Sequence, residues 1–446
     1  MVDQRRFNNQ RLRRPTGPAT PASKTTATTS PSSTAASDDT WVSARVAASY
    51  LGIDIRTLYA YVSRGAVRST PAPTGRSRQY LQQDLAKLKA RHDARAGHGA
   101  VAAAALRWGE PVLDSAITEI TPSGPAYRGH LASSLARTGV AFERVAELLW
   151  QGYLPPTEVS WDRVAPPNLD KILRTTSGAP VMDLMAWLTT SMACADPHRS
   201  DTRPDALLRI GRQLIPLLAC ACSGDRSPAV VIKLLRQPSV AHILVAALGA
   251  PAHALPTINQ ALVLLADHEL NASSFAARIA ASADADGYAI VSAGLAVLSG
   301  TGHGAHSLRV EQFLAGINGP NQARAMVRSM RQRGLALPGF GHTLYPDGDP
   351  RATALLATAI ADGGKRPRVQ VITAVLAHTD TWTKPNVDFA LAAIAAAYDV
   401  PPGSGVALFA IGRIAGWIAH AMEQRAAAYL LRPRARYIGI PMQAQG

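Results

Sequence analysis

A stretch rich in glycine and proline carries residue types suited to acid–base chemistry: Leu337-Pro-Gly-Phe-Gly-His-Thr-Leu-Tyr-Pro-Asp-Gly-Asp-Pro-Arg351. Its three prolines and three glycines exclude a continuous helix or a central strand. The pattern predicts a rigid, exposed turn with free backbone amides. His342 offers a proton near neutral pH, and Arg351, nine residues later, offers a planar pair of donors for a carboxylate. An ordinary surface turn is the alternative when the loop is considered alone.

Two further histidines lie beside apolar or glycine-rich segments. His268 follows the apolar run 261–266, where an isolated histidine is more often a satisfied buried side chain. His303 lies between glycines in the segment 300–306. Glycines there let a ligand approach the backbone, although a plain turn explains them equally well.

Two charged residues interrupt apolar segments. Asp388 lies between Val387 and Phe389, and an apolar setting makes a carboxylate basic enough to take a proton from carbon. Capping of the following helix is the alternative role. Arg413 lies in the apolar run 406–418, where a buried guanidinium is costly without an anion. An internal salt bridge is its alternative partner.

Taken in order, these stretches resemble the citrate synthase family over residues 104–446. The motifs that carry the resemblance are "ADHELNAS" (266–273), "GFGHTLYPDGDPRA" (339–352), "NVDF" (386–389), "LFAIGRIAGWIAHAMEQ" (408–424) and "LLRPRARYIG" (430–439). The resemblance implies an acyltransferase that condenses acetyl-CoA or propionyl-CoA with oxaloacetate, giving citrate or 2-methylcitrate. It also implies an all-α fold with a large domain (104–306), a small domain (307–400) and a return to the large domain (401–446).

The resemblance assigns a role to each polar group that the reaction needs. Asp388 would be the base, His303 would hold the enol oxygen, and His342 would polarise the ketone of oxaloacetate. The substrate's carboxylates would be held by His268, Arg351, Arg413 and Arg432. Arg432 would reach across from the partner subunit of a homodimer with shared sites.

The sequence departs from the family pattern around its first loop and at the CoA site. Thr301, Gly302 and Ser307 replace a usual Pro-Leu and Asn, and His306 is additional. Thr343 and Pro346 replace basic residues that can contact CoA phosphates. The predicted CoA contacts are Leu337, Gly339 and Gly341 in the loop, with Lys365, Arg366 and Arg368 as substitute cations. A solvated basic loop at 365–368 is an equally good interpretation.

The composition describes a mostly helical body. Hydrophobic residues make up 47% of the chain, and alanine and leucine fill periodic segments from about residue 100 onward. We see no uninterrupted apolar run long enough to span a bilayer and predict no membrane partner. Cys194, Cys220 and Cys222 lack metal-ligand spacing, so we predict core packing in a reducing cytoplasm and no metal site. We also predict no cofactor, with the CoA thioester acting as substrate.

The positive charge is concentrated near the N-terminus. Six basic and three acidic residues give +3 in residues 1–39, and ten basic and three acidic residues give +7 in 40–95, out of +15 overall. Residues 1–39 contain almost no large apolar side chain, which predicts a disordered basic tail. The charge of residues 40–95 indicates a polyanion partner.

Residues 40–95 resemble the winged helix-turn-helix of MerR-like and excisionase-like DNA-binding domains. The predicted first helix places Val46, Ala47, Tyr50 and Leu51 on one face, and the second helix buries Ile55, Leu58 and Val62. The side chains predicted to contact double-stranded DNA are Arg56, Thr57, Tyr59, Arg64, Arg76 and Arg78. A docking or dimerisation module with solvated arginines is the alternative.

Two other functions are compatible with the sequence. The whole protein could be a transcription regulator whose body senses oxaloacetate or an acyl-CoA without turnover. Alternatively, the N-terminal module could dock other proteins onto a working enzyme. Intact Asp388, His303 and His342 favour catalysis, because a sensor would need the arginines but not the base.

Overall fold

A computed structural model describes residues 41–51, 53–63, 66–72, 77–82, 84–85, 88, 113–163, 165–167, 169–176, 178–379 and 382–434. The predicted tail 1–39 and the candidate DNA contacts Arg64 and Arg76 lie outside these residues. The chain divides into two compact units, residues 1–113 and 114–446.

The first unit combines two short helices with a small antiparallel sheet. Its elements are β1 (Trp41–Ser43), α1 (Ala44–Leu51), α2 (Ile55–Ser63), β2 (Ser69–Pro71) and β3 (Arg78–Leu81). The strand order is β1-β3-β2. The second helix begins where Asp54 accepts hydrogen bonds from the backbone N–H and hydroxyl of Thr57, at 2.9 and 3.1 Å. The two helices and the hairpin follow one another in the predicted order, but strand β1 before them was not predicted. The winged helix-turn-helix stays a prediction.

The buried faces of these helices differ from the prediction. Val46, Tyr50 and Ile55 are exposed, whereas Ala47 and Leu58 are buried. The small core admits alanines where the helix approaches the sheet, so α1 is rotated by one residue from the face that the larger side chains indicated.

Among the candidate DNA contacts that the structure describes, Arg56, Tyr59 and Arg78 are exposed. Arg78 donates from Nε to the hydroxyl of Ser69 at 3.0 Å. Thr57 is half-buried, and its hydroxyl is bonded to Asp54, so it is tied to the helix start.

The second unit opens with a sheet and continues as helices. The sheet is an antiparallel meander of β4 (Thr118–Thr121), β5 (Gly124–Tyr127) and β6 (His130–Leu131). The all-α prediction missed it. The tight turn before β5 requires Gly124, whose φ of +109° few other residues adopt. The hydroxyl of Tyr127 then reaches the carbonyls of Val263 and Asp267 at 3.0 and 3.1 Å.

The described helices of this unit confirm a mostly helical body. In chain order they are α3 (Ala132–Arg137), α4 (Phe142–Gln151), α5 (Leu169–Thr175), α6 (Val181–Ala195), α7 (Pro204–Cys220), α8 (Pro228–Leu235), α9 (Val240–Ala247), α10 (Leu255–Leu265), α11 (Ala272–Ser282), α12 (Gly287–Leu298), α13 (His306–Ala315), α14 (Pro320–Gln332), α15 (Pro350–Gly363), α16 (Pro367–Ala377), α17 (Val387–Tyr398) and α18 (Ser404–Ala427). The predicted boundaries at residues 306 and 400 between large and small domains stay a prediction.

Helix α18 is the central helix of this unit. Its glycines allow close approach to the end of α10: a Cβ on Gly412 would lie 3.1 Å from the Leu262 carbonyl oxygen, and one on Gly416 would lie 2.6 Å from that of Ala266. The N–H of Gly416 donates to the same Ala266 oxygen at 2.9 Å. The backbone that leads into His268 is therefore held directly against α18.

Two expectations from composition concern membrane-spanning runs and the cysteines. Helix α18 is long and apolar enough to cross a membrane by length and composition, but Arg413 interrupts its apolar run and 94% of its most apolar window is buried inside the protein. Core helices pass the same test because both settings select apolar side chains. Cys220 is buried as predicted and Cys222 is half-buried, whereas Cys194 is exposed.

Candidate active site

His268 lies in a turn between α10 and α11. Asn271 caps α11, and its side-chain oxygen accepts from the N–H groups of Ser273 and Ser274 at 3.1 Å each. The imidazole Nε2 of His268 lies 3.1 Å from the hydroxyl of Tyr345. Burial, together with the positive charge of Arg351 and other cations, lowers the pKa of His268 well below its usual value. The ring is therefore neutral at physiological pH.

The loop 337–349 is attached to the start of α17. The N–H of Gly341 donates to the Lys384 carbonyl, and that of Asn386 donates to the Gly339 carbonyl, each at 2.8 Å. A Cβ on Gly339 would lie 2.9 Å from Cβ of Phe389, so only glycine fits there. Our prediction of free amides is wrong for Gly341, since its N–H already has a backbone partner. The loop is rigid because it pairs with a second segment.

The other predicted CoA contact in this loop, Leu337, is buried. Two of the three substitute cations have partners: Arg368 donates to the carbonyls of Leu314 and Ile317 at 3.2 and 3.0 Å. Arg366 lies 3.7 Å from the carboxylate of Asp399. Lys365 is exposed.

The imidazole of His342 is oriented by its own loop. Its Nδ1 accepts from the N–H of Leu344 at 3.1 Å, which assigns the proton of a neutral ring to Nε2. Burial and the nearby Arg351 lower the pKa of His342, so the neutral form dominates. Nε2 lies 3.4 Å from Nη2 of Arg351. Two donors face each other there, an arrangement that suits a shared oxygen acceptor.

Arg351 is 2% exposed and makes a two-point ion pair with Asp349. Nε and Nη2 of Arg351 lie 3.0 and 2.8 Å from the two carboxylate oxygens. Asp349 also caps α15 and accepts from the N–H of Val387 at 3.1 Å. One carboxylate thus fixes the arginine and joins its helix to the start of α17. Our sequence analysis missed Asp349, although an Asp before Pro at a helix start is a recognisable cap.

Arg413 is buried without an ion-pair partner among the described residues. Its Nε donates to the Leu265 carbonyl at 2.7 Å, and its guanidinium lies 4.8 Å above the Phe409 ring. The Nη2 atom of Arg413 is buried and has no hydrogen-bond partner among the described residues. Burial lowers the pKa of Arg413 to about 10, so it remains charged. The structure does not show the alternative salt bridge.

The ring of His303 contacts Phe409, the residue that Arg413 also contacts. The ring centres of His303 and Phe409 are 5.8 Å apart. Nε2 of His303 lies 2.8 Å from the Ser273 hydroxyl, which also accepts from the indole N–H of Trp417 at 3.2 Å. Burial, followed by the charge of Arg413, lowers the pKa of His303 to about 4. The ring is neutral, and the direction of the Ser273 proton decides which nitrogen of His303 can donate.

Asp388 lies in the first turn of α17 but does not cap it. Asn386 is the cap, and its side-chain oxygen accepts from the N–H of Asp388 at 3.0 Å. The Oδ2 atom of Asp388 lies 3.2 Å from Nδ1 of His306, and Oδ1 is buried without a hydrogen-bond partner among the described residues. The capping alternative is therefore wrong, and Asp388 retains one unused oxygen.

The structure brings most of the predicted site residues together. The ring centres of His268 and His342 are 5.4 Å apart, and Arg351 contacts His342. The Phe409 ring contacts both His303 and Arg413. The charges of Arg351 and Arg413 act on His268, and that of Asp388 acts on His342. Arg432 is exposed and makes no contact with this cluster in the single chain as described.

Sequence comparison identifies the family. Residues 105–434 match the family described as "Citrate synthase, C-terminal domain". The chain belongs to the citrate synthase family.

Named relatives agree with this membership. A Mycobacterium tuberculosis protein provisionally named citrate synthase 2 is 33% identical over 248 residues, covering 53% of this chain and 66% of its own length. This chain thus spans slightly less than two-thirds of that relative. The 2-methylcitrate synthase 2 of Corynebacterium glutamicum is 27% identical over 352 residues, covering 73% and 92%. Citrate synthase 2 of Bacillus subtilis is 26% identical over 346 residues, covering 73% and 93%.

Solved structures show the same fold. The citrate synthase of Thermotoga maritima is 23% identical, has a TM-score of 0.63, and covers 76% of this chain and 96% of its own. The citrate synthase of Thermoplasma acidophilum, solved with carboxymethyl coenzyme A and oxaloacetate, is 22% identical with the same TM-score, covering 75% and 96%. The second unit therefore has the citrate synthase fold.

We predict that the ring of His303 stays neutral from about pH 5 to pH 8. Unfolded His303 has a pKa near 6.5, so between about pH 4 and 6.5 the unfolded chain binds more protons at this residue. Its contribution to stability is therefore present above that window and declines as the pH falls through it. Ring-proton NMR titration measures the pKa directly, with exposed His198 as the reference. Titration of His303 near 6.5 would contradict the assignment.

Proposed function

We propose that this protein condenses an acyl-CoA, acetyl-CoA or propionyl-CoA, with oxaloacetate to give citrate or 2-methylcitrate and free CoA. The observation that carries the proposal is the buried Nη2 of Arg413, which has no hydrogen-bond partner among the described residues, although the charge of Asp267 acts on this arginine. A buried cationic donor without a direct partner is costly, and a carboxylate of a dicarboxylate substrate would supply that hydrogen bond. The names of the relatives support condensation, and none of them designates a sensor.

Oxaloacetate would bind between the two buried arginines. The Asp349 ion pair uses Nε and Nη2 of Arg351, which leaves Nη1 outside the hydrogen bonds of the described residues. Nη2 of Arg413 and Nη1 of Arg351 would each hold a carboxylate, with His268 beside them. The ketone oxygen would accept from Nε2–H of His342, which faces Arg351 across 3.4 Å. A neutral imidazole suits this donor role, because it polarises the ketone without adding a charge.

The acyl-CoA would be activated on the other side of the cluster. Oδ1 of Asp388 would take a proton from the carbon next to the thioester, and His303 would donate from Nδ1 to the developing enolate oxygen. That donation requires the Ser273 hydroxyl to turn its proton from the Asn271 oxygen to Nε2 of His303, both of which lie 2.8 Å away.

Carbon–carbon bond formation then follows from the placement of these groups. The enolate carbon attacks the ketone carbon, and Nε2–H of His342 donates a hydrogen bond to the developing alkoxide, which takes up a proton from solvent. Asp388 returns its proton to solvent. Water then cleaves the thioester, releasing CoA as a thiol and leaving the new carboxylate on the product. The reaction needs no cofactor beyond the CoA carried by the substrate, and we place it in the cytoplasm.

We predict that Asp388→Ala loses most turnover while oxaloacetate still binds, since the carboxylate acts on the acyl-CoA alone. Removing a general base typically costs about 10²- to 10⁴-fold in rate. Thiol release measures turnover, and calorimetry measures oxaloacetate affinity. Turnover at the wild-type rate would refute the role of Asp388, and Arg413→Met should show the opposite pattern by losing oxaloacetate affinity.

We further propose a homodimer in which Arg432 of each chain completes the site of its partner. Arg432 lies in the C-terminal family motif and is exposed in the single chain, away from the buried cluster. Mixing inactive Arg432→Ala and Asp388→Ala subunits, after exchange, should restore part of the activity because one site per mixed dimer regains both groups. Inactive mixtures with proven subunit exchange would rule out shared sites.

We also propose that the first unit binds double-stranded DNA, on the basis of the net charge of +7 in residues 40–95 and the exposed Arg56. Affinity should fall by about one power of salt concentration per phosphate neutralised. Removing residues 1–95 should abolish binding and leave condensation intact. A gel-shift titration on genomic fragments at two salt concentrations measures this. Absent or salt-independent binding would indicate a docking or dimerisation element instead.

A further inference from the structure

His306 is the side chain that contacts the carboxylate of Asp388. It is the first residue of α13, directly after the loop that carries His303, and its side chain is 29% exposed. Helix α13 packs against α17, which carries Asp388 in its first turn. The two helix starts therefore bring together a histidine and an aspartate that are 82 residues apart in the chain.

The contact has a defined direction. Nδ1 of His306 lies 3.2 Å from Oδ2 of Asp388. An ionised carboxylate can only accept, so Nδ1 carries the proton whether the ring is neutral or charged. Among the described residues, this is the one hydrogen bond to the Asp388 carboxylate.

A single bond to one oxygen selects an orientation. The terminal torsion of an aspartate is broad and roughly two-fold, so a carboxylate without a partner turns readily. With Oδ2 held by His306, Oδ1 is the oxygen left buried and unpartnered. Oδ1 is then the atom available to remove a proton from carbon.

We propose that His306 is a positioning residue: its Nδ1–H holds Oδ2 of Asp388 so that Oδ1 faces the acyl carbon. This inference rests on the proposed condensation with Asp388 as the base. Among the described residues, the side-chain hydrogen bond of His306 goes to Asp388 and not to a group proposed to hold oxaloacetate. Its effect should therefore fall on proton removal and not on oxo-acid binding.

The test compares three substitutions. His306→Ala removes the donor, His306→Asn places an amide N–H close to the position of Nδ1, and His306→Gln places one about a bond length further out. We expect kcat for thiol release to fall about 10- to 100-fold in His306→Ala, the scale of a misplaced reacting group, with KM for oxaloacetate unchanged. His306→Asn should recover most of the loss and His306→Gln should not. The control His198→Ala, at an exposed histidine outside the site, should match wild type.

A double-mutant comparison separates positioning from a general structural role. In the Asp388→Ala background, His306→Ala should cost nothing further, because there is no carboxylate left to hold. Exchange of the acetyl-CoA methyl protons with deuterated solvent should slow in parallel with kcat. If His306→Ala fails to fold, the comparison of Asn with Gln still decides.

Three results would overturn the inference. These are wild-type kcat in His306→Ala, equal activity of the Asn and Gln variants, or the same fold-loss in the Asp388→Ala background. If the wild-type protein releases thiol, none of these three results counts against the proposed condensation. A wild-type protein without turnover would instead refute the condensation itself, and the role of His306 with it.

Discussion

The rest of the candidate site depends on two guanidinium groups buried at the centre of a helical body. Arg351 and Arg413 are each almost completely removed from solvent, and desolvating a cation costs several kcal/mol unless partners replace its water. Arg351 has Asp349, whereas Arg413 has the Leu265 carbonyl and the face of Phe409. Among the described residues, one buried nitrogen of Arg413 keeps no hydrogen-bond partner, and this is the feature on which the proposed anion site rests.

The same positive charge fixes the protonation of the surrounding histidines. Burial comes first and the arginines second in lowering the pKa of His268 and His342, and both effects disfavour a second cation. Each neutral imidazole has one N–H to donate. The Leu344 N–H sets the tautomer of His342, and the Ser273 hydroxyl sets that of His303. The site can therefore donate hydrogen bonds to developing negative charge without requiring proton uptake. Closely approaching backbones, which the glycines of α18 permit, hold these groups in register.

Sequence reasoning found what lies in local motifs and missed what depends on packing. His268, His303, His342 and Asp388 were identifiable because each stands out from an apolar or glycine-rich segment. The contact between His306 and Asp388 was not, since it depends on how α13 meets α17. The free amides expected in the 337–349 loop were wrong for a similar reason: a distant segment pairs with Gly341. In the first unit, α1 turns its alanines toward a small core. The spacing of apolar residues in the sequence does not reveal this rotation.

The most direct test of the central claim is thiol release from acetyl-CoA and from propionyl-CoA, each with and without oxaloacetate. Our account predicts release that depends on oxaloacetate, with one thiol formed for each citrate or 2-methylcitrate produced. Binding of oxaloacetate with no thiol release from either thioester would contradict it, because the buried arginines would then serve recognition without catalysis.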